Sequence, residues 1–220
     1  MKILDIDEAM SHYEVRSEYS KQLGAAMAVK QDQINLQLAC LAGRTAAPQD
    51  DMAGGSQLSG ANVDTDGQAM AELIFGAREI MAEKNVPETD PRAFFCRPAI
   101  YSLLAMTTDI INKNWGGSGV YSDGKVFRVA GFDIVETMHV PNDNITQETG
   151  ANNTYHGDFT NTVGVCVSKG AVGNVYLKAL TTEIADGDYK VENQAVLLVV
   201  KRLMGAGILE ARRAVELLKQ

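Results

Sequence analysis

Three observations predict an α+β fold for this chain. A stretch from Asp5 to Leu41 is too long and too regular for an ordinary helix. A helix–strand–helix pattern follows between Asp66 and Leu104, and strand-like apolar segments separated by glycine-rich turns occupy the last third of the chain. Helices therefore dominate the first half of the sequence and strands the second.

The first element is a long amphipathic helix over Asp5–Leu41. Asp5 with Glu8 three residues later is typical of a helix start, and Gly43 is a natural residue just past the end. At about 1.5 Å per residue the helix would be roughly 54 Å long, a spine along which other elements or other subunits pack. Apolar or small residues recur at steps of three and four along one face: Met10, Tyr13, Ser17, Ser20, Gly24, Met27, Ile34, Leu38 and Leu41.

This segment resembles the spine helix of tailed-phage major capsid proteins, in particular those of T-seven-like podoviruses (Autographiviridae). The run from Ile6 to Tyr19, continued by Gln22, Leu23 and Gly24, carries the resemblance. It implies the tailed-phage major capsid (Johnson) fold, in which a long spine helix accompanies an axial domain with a central sheet and a peripheral domain with a long β-sheet.

After the spine, the low apolar content of residues 45–66 predicts a loop. Asp66 is a candidate N-cap for a second helix that ends near Lys84. Phe94–Cys96 is predicted as a short buried strand, and Pro98 suits the first turn of a third helix. The order of residues from Val86 to Tyr101 is again similar to the capsid family and would open the axial domain.

Lys125–Val140 is predicted to form two strands that bend at Ala130 and Gly131. The segment from Gly131 to Glu136 resembles the family's central sheet. Pro141–Thr162, dense in Asn, Thr, Asp and Gly, is predicted to be an exposed loop or hairpin tip. A strand over Val163–Ser168 follows it.

Gly170–Leu177 is similar to the family segment that returns from the axial to the peripheral domain. Thr181–Ala185 and Ala195–Met204 are predicted as strands of a long sheet, joined by a turn at Asp186–Tyr189. Gly205–Leu209 resembles the family's closing glycine motif. The family usually continues with Arg-Pro, whereas Glu210-Ala211 stands here, so we expect Ala211–Leu218 to continue as a helical turn.

These assignments predict a discontinuous domain organisation. Residues 1–50 and 179–220 would form the peripheral domain, and residues 51–178 the axial domain inserted between them. Family members have an N-terminal arm and an extended loop before the spine, and we expect both to be absent from this chain.

Composition limits the classes of function. Hydrophobic residues make up 45% and charged residues 22%, as in ordinary folded proteins. A net charge of −8 without clustered Lys or Arg argues against sequence-specific nucleic-acid binding. No apolar run reaches membrane-spanning length. Three widely spaced cysteines in apolar contexts predict buried free thiols in a reducing compartment, and hence synthesis in cytoplasm.

No pattern predicts catalysis, a cofactor or a metal. His12, His139 and His156 lack the spacing of a metal site, and the glycine groups lack P-loop and Rossmann spacing. No nucleophile elbow occurs, and the Asp-rich turns at residues 64–67 and 186–188 lack the ligands of a calcium loop. The chain is therefore predicted not to be an enzyme.

The resemblance implies a structural protein that self-assembles as pentamers and hexamers into an icosahedral head enclosing double-stranded DNA. Its partners would be copies of itself together with scaffolding and portal proteins, with no membrane, and its location would be the virion. The polar loop supplies the axial contact candidates, and the charged face of the spine supplies the peripheral ones. These candidates are Asn142, Asn152, Asn153 and Tyr155 for the loop and Glu14, Glu18 and Lys21 for the spine.

Two alternatives remain open from the sequence. An encapsulin-like compartment shell would share the fold but package enzymes. A small thiol or metal enzyme would share only the long helix, and it predicts a reactive thiol or stoichiometric metal.

Overall fold

The computed structural model describes residues 2–4, 6, 10–11, 15–107, 128–147, 155–185 and 187–220. Its helices are α1 (Val15–Arg44), α2 (Gly67–Glu83), α3 (Pro98–Met106) and α4 (Asp188–Asn193), with a 3₁₀ turn at Ala211–Arg213. The strands are β1 (Lys2–Leu4), β2 (Ser56–Gly60), β3 (Arg92–Cys96), β4 (Arg128–Val129), β5 (Phe132–Glu136), β6 (Asn144–Ile145), β7 (Gly157–Asp158), β8 (Thr162–Ser168), β9 (Val172–Ala185), β10 (Ala195–Ile208) and β11 (Ala214–Lys219).

The described chain divides into two compact units. The first contains residues 1–32 and 174–205, and the second contains residues 33–173 and 206–220. Both α1 and the two long strands β9 and β10 contribute residues to each unit. The naming of peripheral and axial domains stays a prediction.

A six-stranded mixed sheet organises the second unit, in the order β2-β11-β8-β3-β5-β4. β11 runs parallel to β2 and antiparallel to β8, and β3 runs antiparallel to β8 and parallel to β5. Buried side chains of α2 and α3 pack with Phe94, Cys166 and Leu217 on one face of the sheet. The last quarter of α1 packs with Val165 on the other face. Because β8 is covered on both faces, its residues are nearly all buried.

The first unit contains a second sheet in the order β1-β10-β9. β1 pairs antiparallel with the start of β10, so that Ile3 lies opposite Val196. Both of these residues are buried. β9 is an edge strand among the described residues, and most of its residues are exposed.

Several predicted elements are confirmed. Asp66 caps α2 by accepting a hydrogen bond from the Gln68 N–H, and Pro98 begins α3. The bend between β4 and β5 lies at Ala130 and Gly131, whose φ angles of 51° and 84° are left-handed. The strands predicted over 163–168, 181–185 and 195–204 lie within β8, β9 and β10. A turn was predicted at residues 186–189. Asp188 and Tyr189 instead begin the short helix α4, and Asp186 lies outside the described residues.

The predicted helical turn over Ala211–Leu218 is wrong. Only Ala211–Arg213 is helical, as a 3₁₀ turn, and β11 follows as an interior strand of the larger sheet. Val215 and Leu217 alternate into the core beside α2, whereas Glu216 between them points to the face covered by α1. A helix would not place Val215 and Leu217 on one face, since residues two apart do not share a helix face.

The loop predicted over residues 45–66 contains β2. Four of its five residues are small or polar, with Leu58 as the exception, and the strand exists because β11 offers it a parallel partner at the sheet edge. That partner comes from the far end of the chain, so no local pattern indicates the strand.

The helix predicted over Asp5–Leu41 is confirmed from Val15 onward and wrong at both ends, because Ser11 is not helical and the helix extends past Leu41. The partly or fully buried residues of α1 include the predicted stripe from Ser17 to Leu41, whereas Met10 is 76% exposed. The predicted N-cap at Asp5 lies outside the described residues. Gly43 is not a residue past the end, because α1 continues through Arg44. A Cβ on Gly43 would lie 2.9 Å from the Glu216 nitrogen, so this glycine permits the close approach of β11.

The predicted polar loop 141–162 is anchored at both ends. Val140 and Phe159 are fully buried against the last turns of α1, and β6 and β7 pair as a short antiparallel ladder between them. Residues 148–154 at its centre lie outside the described residues. None of the helices that the structure describes is long and apolar enough to cross a membrane.

Candidate functional site

A fully buried carboxylate lies where α1, β2 and β11 meet. Each oxygen of Glu216 accepts two hydrogen bonds. Oε1 accepts from Arg44 Nη2 at 2.6 Å and from the Thr162 hydroxyl at 2.6 Å. Oε2 accepts from Arg44 Nε at 2.7 Å and from Gln57 Nε2 at 2.8 Å. The carboxylate is thus paired and satisfied, as a buried charge must be.

The surroundings hold the Arg44 guanidinium in one place. Its Nη1 donates to the Asp158 carbonyl at 2.7 Å, and its Cζ lies 4.7 Å from the centroid of the Phe159 ring. The hydrogen bond to Glu216 raises the pKa of Arg44 above its ordinary value, against the opposing effect of burial. Because Glu216 has no exposed surface, its carboxylate is not accessible to a ligand and joins secondary-structure elements instead.

A lysine fixes the turn before β2. Lys84, just past the end of α2, donates to the carbonyls of Gly54 and Gly55 at 2.6 and 2.9 Å and to the Ser56 hydroxyl at 2.6 Å. Burial lowers the pKa of this lysine below its ordinary value. The three acceptors are neutral, so the ammonium acts here as a structural donor.

The three cysteines are free and buried, as predicted. Burial is the main cause that raises the pKa of each thiol, to about 12 for Cys96 and well above the ordinary value for Cys40 and Cys166. A thiol with a raised pKa is a poor nucleophile at neutral pH. Within the described part of the chain, no three His, Cys, Asp or Glu side chains come together as a metal site would need.

The predicted spine contacts lie on an exposed part of α1. Glu18 and Lys21 form an ion pair of 2.7 Å, and their side chains are 64% and 69% exposed. A pair so exposed contributes little to folding stability. Both side chains are therefore accessible at the surface of the chain. Glu14 lies outside the described residues.

The predicted loop contacts are partly engaged within the chain. The Asn142 amide oxygen accepts from Arg97 Nη2 at 2.6 Å, and the Tyr155 hydroxyl accepts from the Ala206 N–H at 3.2 Å. Both residues are half-buried. These bonds hold the two ends of the loop in place. Asn152 and Asn153 lie outside the described residues.

Sequence reasoning missed an apolar surface on the smaller sheet. Tyr176 of β9 points toward α1, because its hydroxyl accepts from Gln31 and its ring lies 4.3 Å from Arg202 Cζ. Side chains alternate along a strand, so Val175 and Leu177 point away from α1. They are 73% and 86% exposed.

The neighbouring strand β10 extends this surface. The Lys201 ammonium donates to the Glu183 carboxylate at 2.6 Å, so these two side chains lie on the same face of the sheet. Glu183 is an even number of residues from Val175 and Leu177, so all three point to that face. Val199 and Leu203 are each two residues from Lys201 and therefore lie on the same face of the sheet. They are 37% and 54% exposed. We call the surface formed by Val175, Leu177, Val199 and Leu203 the ribbon face. The signal in the sequence is that apolar residues occur at both odd and even positions of β9, and so on both of its faces, which is unusual for an edge strand.

Comparisons with known proteins agree with this architecture. The family model described as Gp10A-like major capsid protein matches residues 2–218. The major capsid proteins of Escherichia phage T7 and Enterobacteria phage T3 are 27% and 29% identical to this chain. Each match covers 96% of this chain and 67% of the relative, so the chain spans about two thirds of their length.

A solved structure supports the same conclusion. The capsid structure of cyanophage P-SCSP1u contains a chain that is 36% identical, with a TM-score of 0.92 over 100% of this chain and 70% of that one. The fold predicted from the resemblance is thereby confirmed. Since the family model covers nearly every residue, the chain belongs to the Gp10A-like family of major capsid proteins.

Proposed function

We propose that this chain is the shell-forming part of a tailed-phage head, in which copies assemble as pentamers and hexamers into an icosahedral shell around double-stranded DNA. One observation carries the proposal: the whole chain superposes on the capsid subunit of cyanophage P-SCSP1u. The role is structural and not enzymatic. The buried thiols and the enclosed Glu216 cluster support this role, since both serve packing.

Two sets of residues are proposed as contacts between copies. The polar loop, with Asn142, Asn152, Asn153 and Tyr155, would meet its equivalents around the five-fold and quasi-six-fold axes. The burial of Val140 and Phe159 at the described ends of the loop supports this choice. Glu14, Glu18 and Lys21 on the spine would contact peripheral domains of neighbours, and the exposure of the Glu18–Lys21 pair supports this role.

Scaffolding and portal proteins are the further partners that the family resemblance implies. The net charge of −8 suits a shell that encloses DNA without gripping it. We infer that the protein is made in the host cytoplasm and resides in the virion.

An encapsulin-like compartment shell is the second candidate function. It shares the fold, but the family match over residues 2–218 favours the phage head. A compartment shell would co-purify with cargo protein, whereas a phage head would hold DNA. A thiol enzyme is disfavoured because burial raises the pKa of the Cys40 and Cys166 thiols. A metal enzyme is disfavoured because the described residues bring no three His, Cys, Asp or Glu side chains together.

Particle mass tests the proposal. Light scattering of the purified chain, followed by negative-stain imaging, is expected to detect rings or shells. A chain that stays monomeric at every concentration tested would contradict self-assembly by these residues. Glu18→Lys is expected to weaken assembly, and the exchange Glu18→Lys/Lys21→Glu separates loss of the pair from reversal of charge. Unchanged shells in Glu18→Lys would refute the spine contact.

A further inference from the structure

Two buried polar side chains without a hydrogen-bond partner lie next to each other on the larger sheet. Arg92 of β3 is 5% exposed and Ser168 of β8 is 1% exposed. Within the described part of the chain, neither Arg92 Nε nor the Ser168 hydroxyl makes a hydrogen bond. A buried polar group without a partner is destabilising, and native proteins contain few of them. Two such groups at one place point to a partner from outside the chain.

The register of the strands brings the two groups together. Arg92 lies directly opposite Ser168 in the antiparallel pair of β3 and β8. The Lys169 N–H donates to the Pro91 carbonyl, so Arg92 and Ser168 form a non-hydrogen-bonded pair, in which the Cα atoms are about 4.5 Å apart and the side chains lie closest. Each is two residues along its strand from a residue of the core beneath α2, so both side chains lie on that covered face. One N–H donor and one O–H donor are therefore available at the same enclosed position.

The Arg92 guanidinium also lacks a counter-charge. Its Nη2 donates to two backbone carbonyls just after α2, at 2.9 and 3.2 Å, and no carboxylate of the described residues pairs with it. The carboxylates of the turn before β3 are engaged elsewhere. Glu88 forms an ion pair of 3.4 Å with Arg78. Asp90 pairs with Arg213. Because a buried charge is normally paired, the site calls for a negative charge as well as for a hydrogen-bond acceptor.

We propose that Arg92 and Ser168 bind a small monovalent anion of the size of chloride. The anion accepts hydrogen bonds from Arg92 Nε and from the Ser168 hydroxyl, and it supplies the charge that the guanidinium lacks. A water molecule at the same position would satisfy the hydrogen bonds but not the charge. A phosphate group is disfavoured, because two side chains with almost no exposed surface leave so large an anion no access.

Thermal melting of the purified chain tests the site, with chloride exchanged for the bulky anion gluconate at constant ionic strength. Only the folded chain holds the two donors together, so bound chloride stabilises the folded state by mass action. Once chloride exceeds its dissociation constant, each tenfold increase is expected to raise the melting temperature by roughly 3–5 °C. A melting temperature that does not depend on chloride would overturn the proposal.

Ser168→Ala distinguishes this site from a general effect of salt. Without chloride, the variant is expected to melt at or above the parent temperature, since it removes a buried hydroxyl that has no partner. In chloride it is expected to melt below the parent, because loss of a hydrogen bond to a charged group weakens anion binding by roughly tenfold or more. Ser59→Ala is the matched control, since it makes the same change at an exposed position of β2 in the same sheet. Equal chloride dependence in the two variants would refute the site.

Bromide gives a second measurement, because it substitutes for chloride and scatters X-rays anomalously. A crystal of the chain grown in bromide is expected to show an anomalous peak between Arg92 Nε and the Ser168 hydroxyl. Ordinary density there without an anomalous peak would identify a water and contradict the anion. Neither measurement depends on assembly, so a negative result leaves the proposed shell function intact.

Discussion

Replacement of Glu216 by glutamine tests the reasoning about the buried cluster most directly. The side chain keeps its size, so no cavity forms and only charge and hydrogen bonding change. Arg44 bonds both carboxylate oxygens. Whichever way the glutamine amide turns, its NH₂ group therefore faces an Arg44 N–H, and the guanidinium loses its counter-charge.

The magnitude follows from the surroundings of Arg44. Removing one partner of a buried ion pair costs about 3–5 kcal/mol. The Arg44 side chain is 25% exposed and keeps the Asp158 carbonyl and the Phe159 ring, which favours the lower end of that range. We expect a loss of about 3 kcal/mol in the free energy of unfolding. For a chain of this size, the melting temperature would fall by roughly 6–12 °C.

Urea titration followed by circular dichroism measures the change in unfolding free energy. Glu183→Gln is the matched control, because it makes the same substitution in an ion pair whose side chains are 54% and 43% exposed. That control should change the unfolding free energy much less than Glu216→Gln does, because an exposed ion pair contributes little to stability. The double variant Arg44→Met/Glu216→Met should recover part of the loss, since no charge is left unpaired. A Glu216→Gln variant as stable as the control would refute the assignment of a buried, coupled pair.

Three further outcomes are expected. Gly55→Ala should lower the free energy of unfolding by about 3 kcal/mol or more, because its Cβ would lie 2.0 Å from the Ala42 carbonyl oxygen. Gly24→Ala should stabilise α1 by about 0.5–1 kcal/mol in the same urea titration, because nothing lies within 4 Å of the added Cβ. Hydrogen bonds from Arg213 above all lower the pKa of Glu210 below its ordinary value. The stability that these hydrogen bonds contribute is present above the unfolded pKa of about 4.3 and is lost as pH falls through the folded pKa. Glu210→Gln should therefore reduce the loss of stability at acid pH in a pH–stability profile. An unchanged acid loss would contradict the lowered pKa of Glu210. The three buried thiols should react with a disulfide reagent only after denaturant is added, and rapid labelling of the folded chain would reopen the thiol-enzyme alternative.

Elements with local signals were predictable from the sequence. Asp66 before an apolar helical stripe and Pro98 at a first turn start α2 and α3 where capping chemistry places them. Ala130-Gly131 bends the chain because it adopts left-handed φ angles. The run from Ile6 to Tyr19 identified the family, since a family motif is read from residue order and needs no coordinates.

Elements that depend on distant partners were not predictable. β2 has little strand propensity and forms because β11 pairs with it, and β11 forms because β8, remote in sequence, pairs with it in turn. The contact candidates on the spine and in the polar loop stay predictions, since no partner chain tests them. The ribbon face emerged only when the contacts of Tyr176 and Lys201 fixed which side of the sheet each residue faces.

The sequence by itself determined the family, the long helix, the capped helices and the buried thiols. Local dihedral preferences and apolar periodicity act over a few residues, and these features need no more. Only the tertiary structure decided that Glu216 and Arg44, 172 positions apart, form one buried pair, and that Gly43 and Gly55 are required for close backbone approach. Such contacts form when segments that are distant in sequence pack against each other. No local pattern in the sequence indicates which segments will do so.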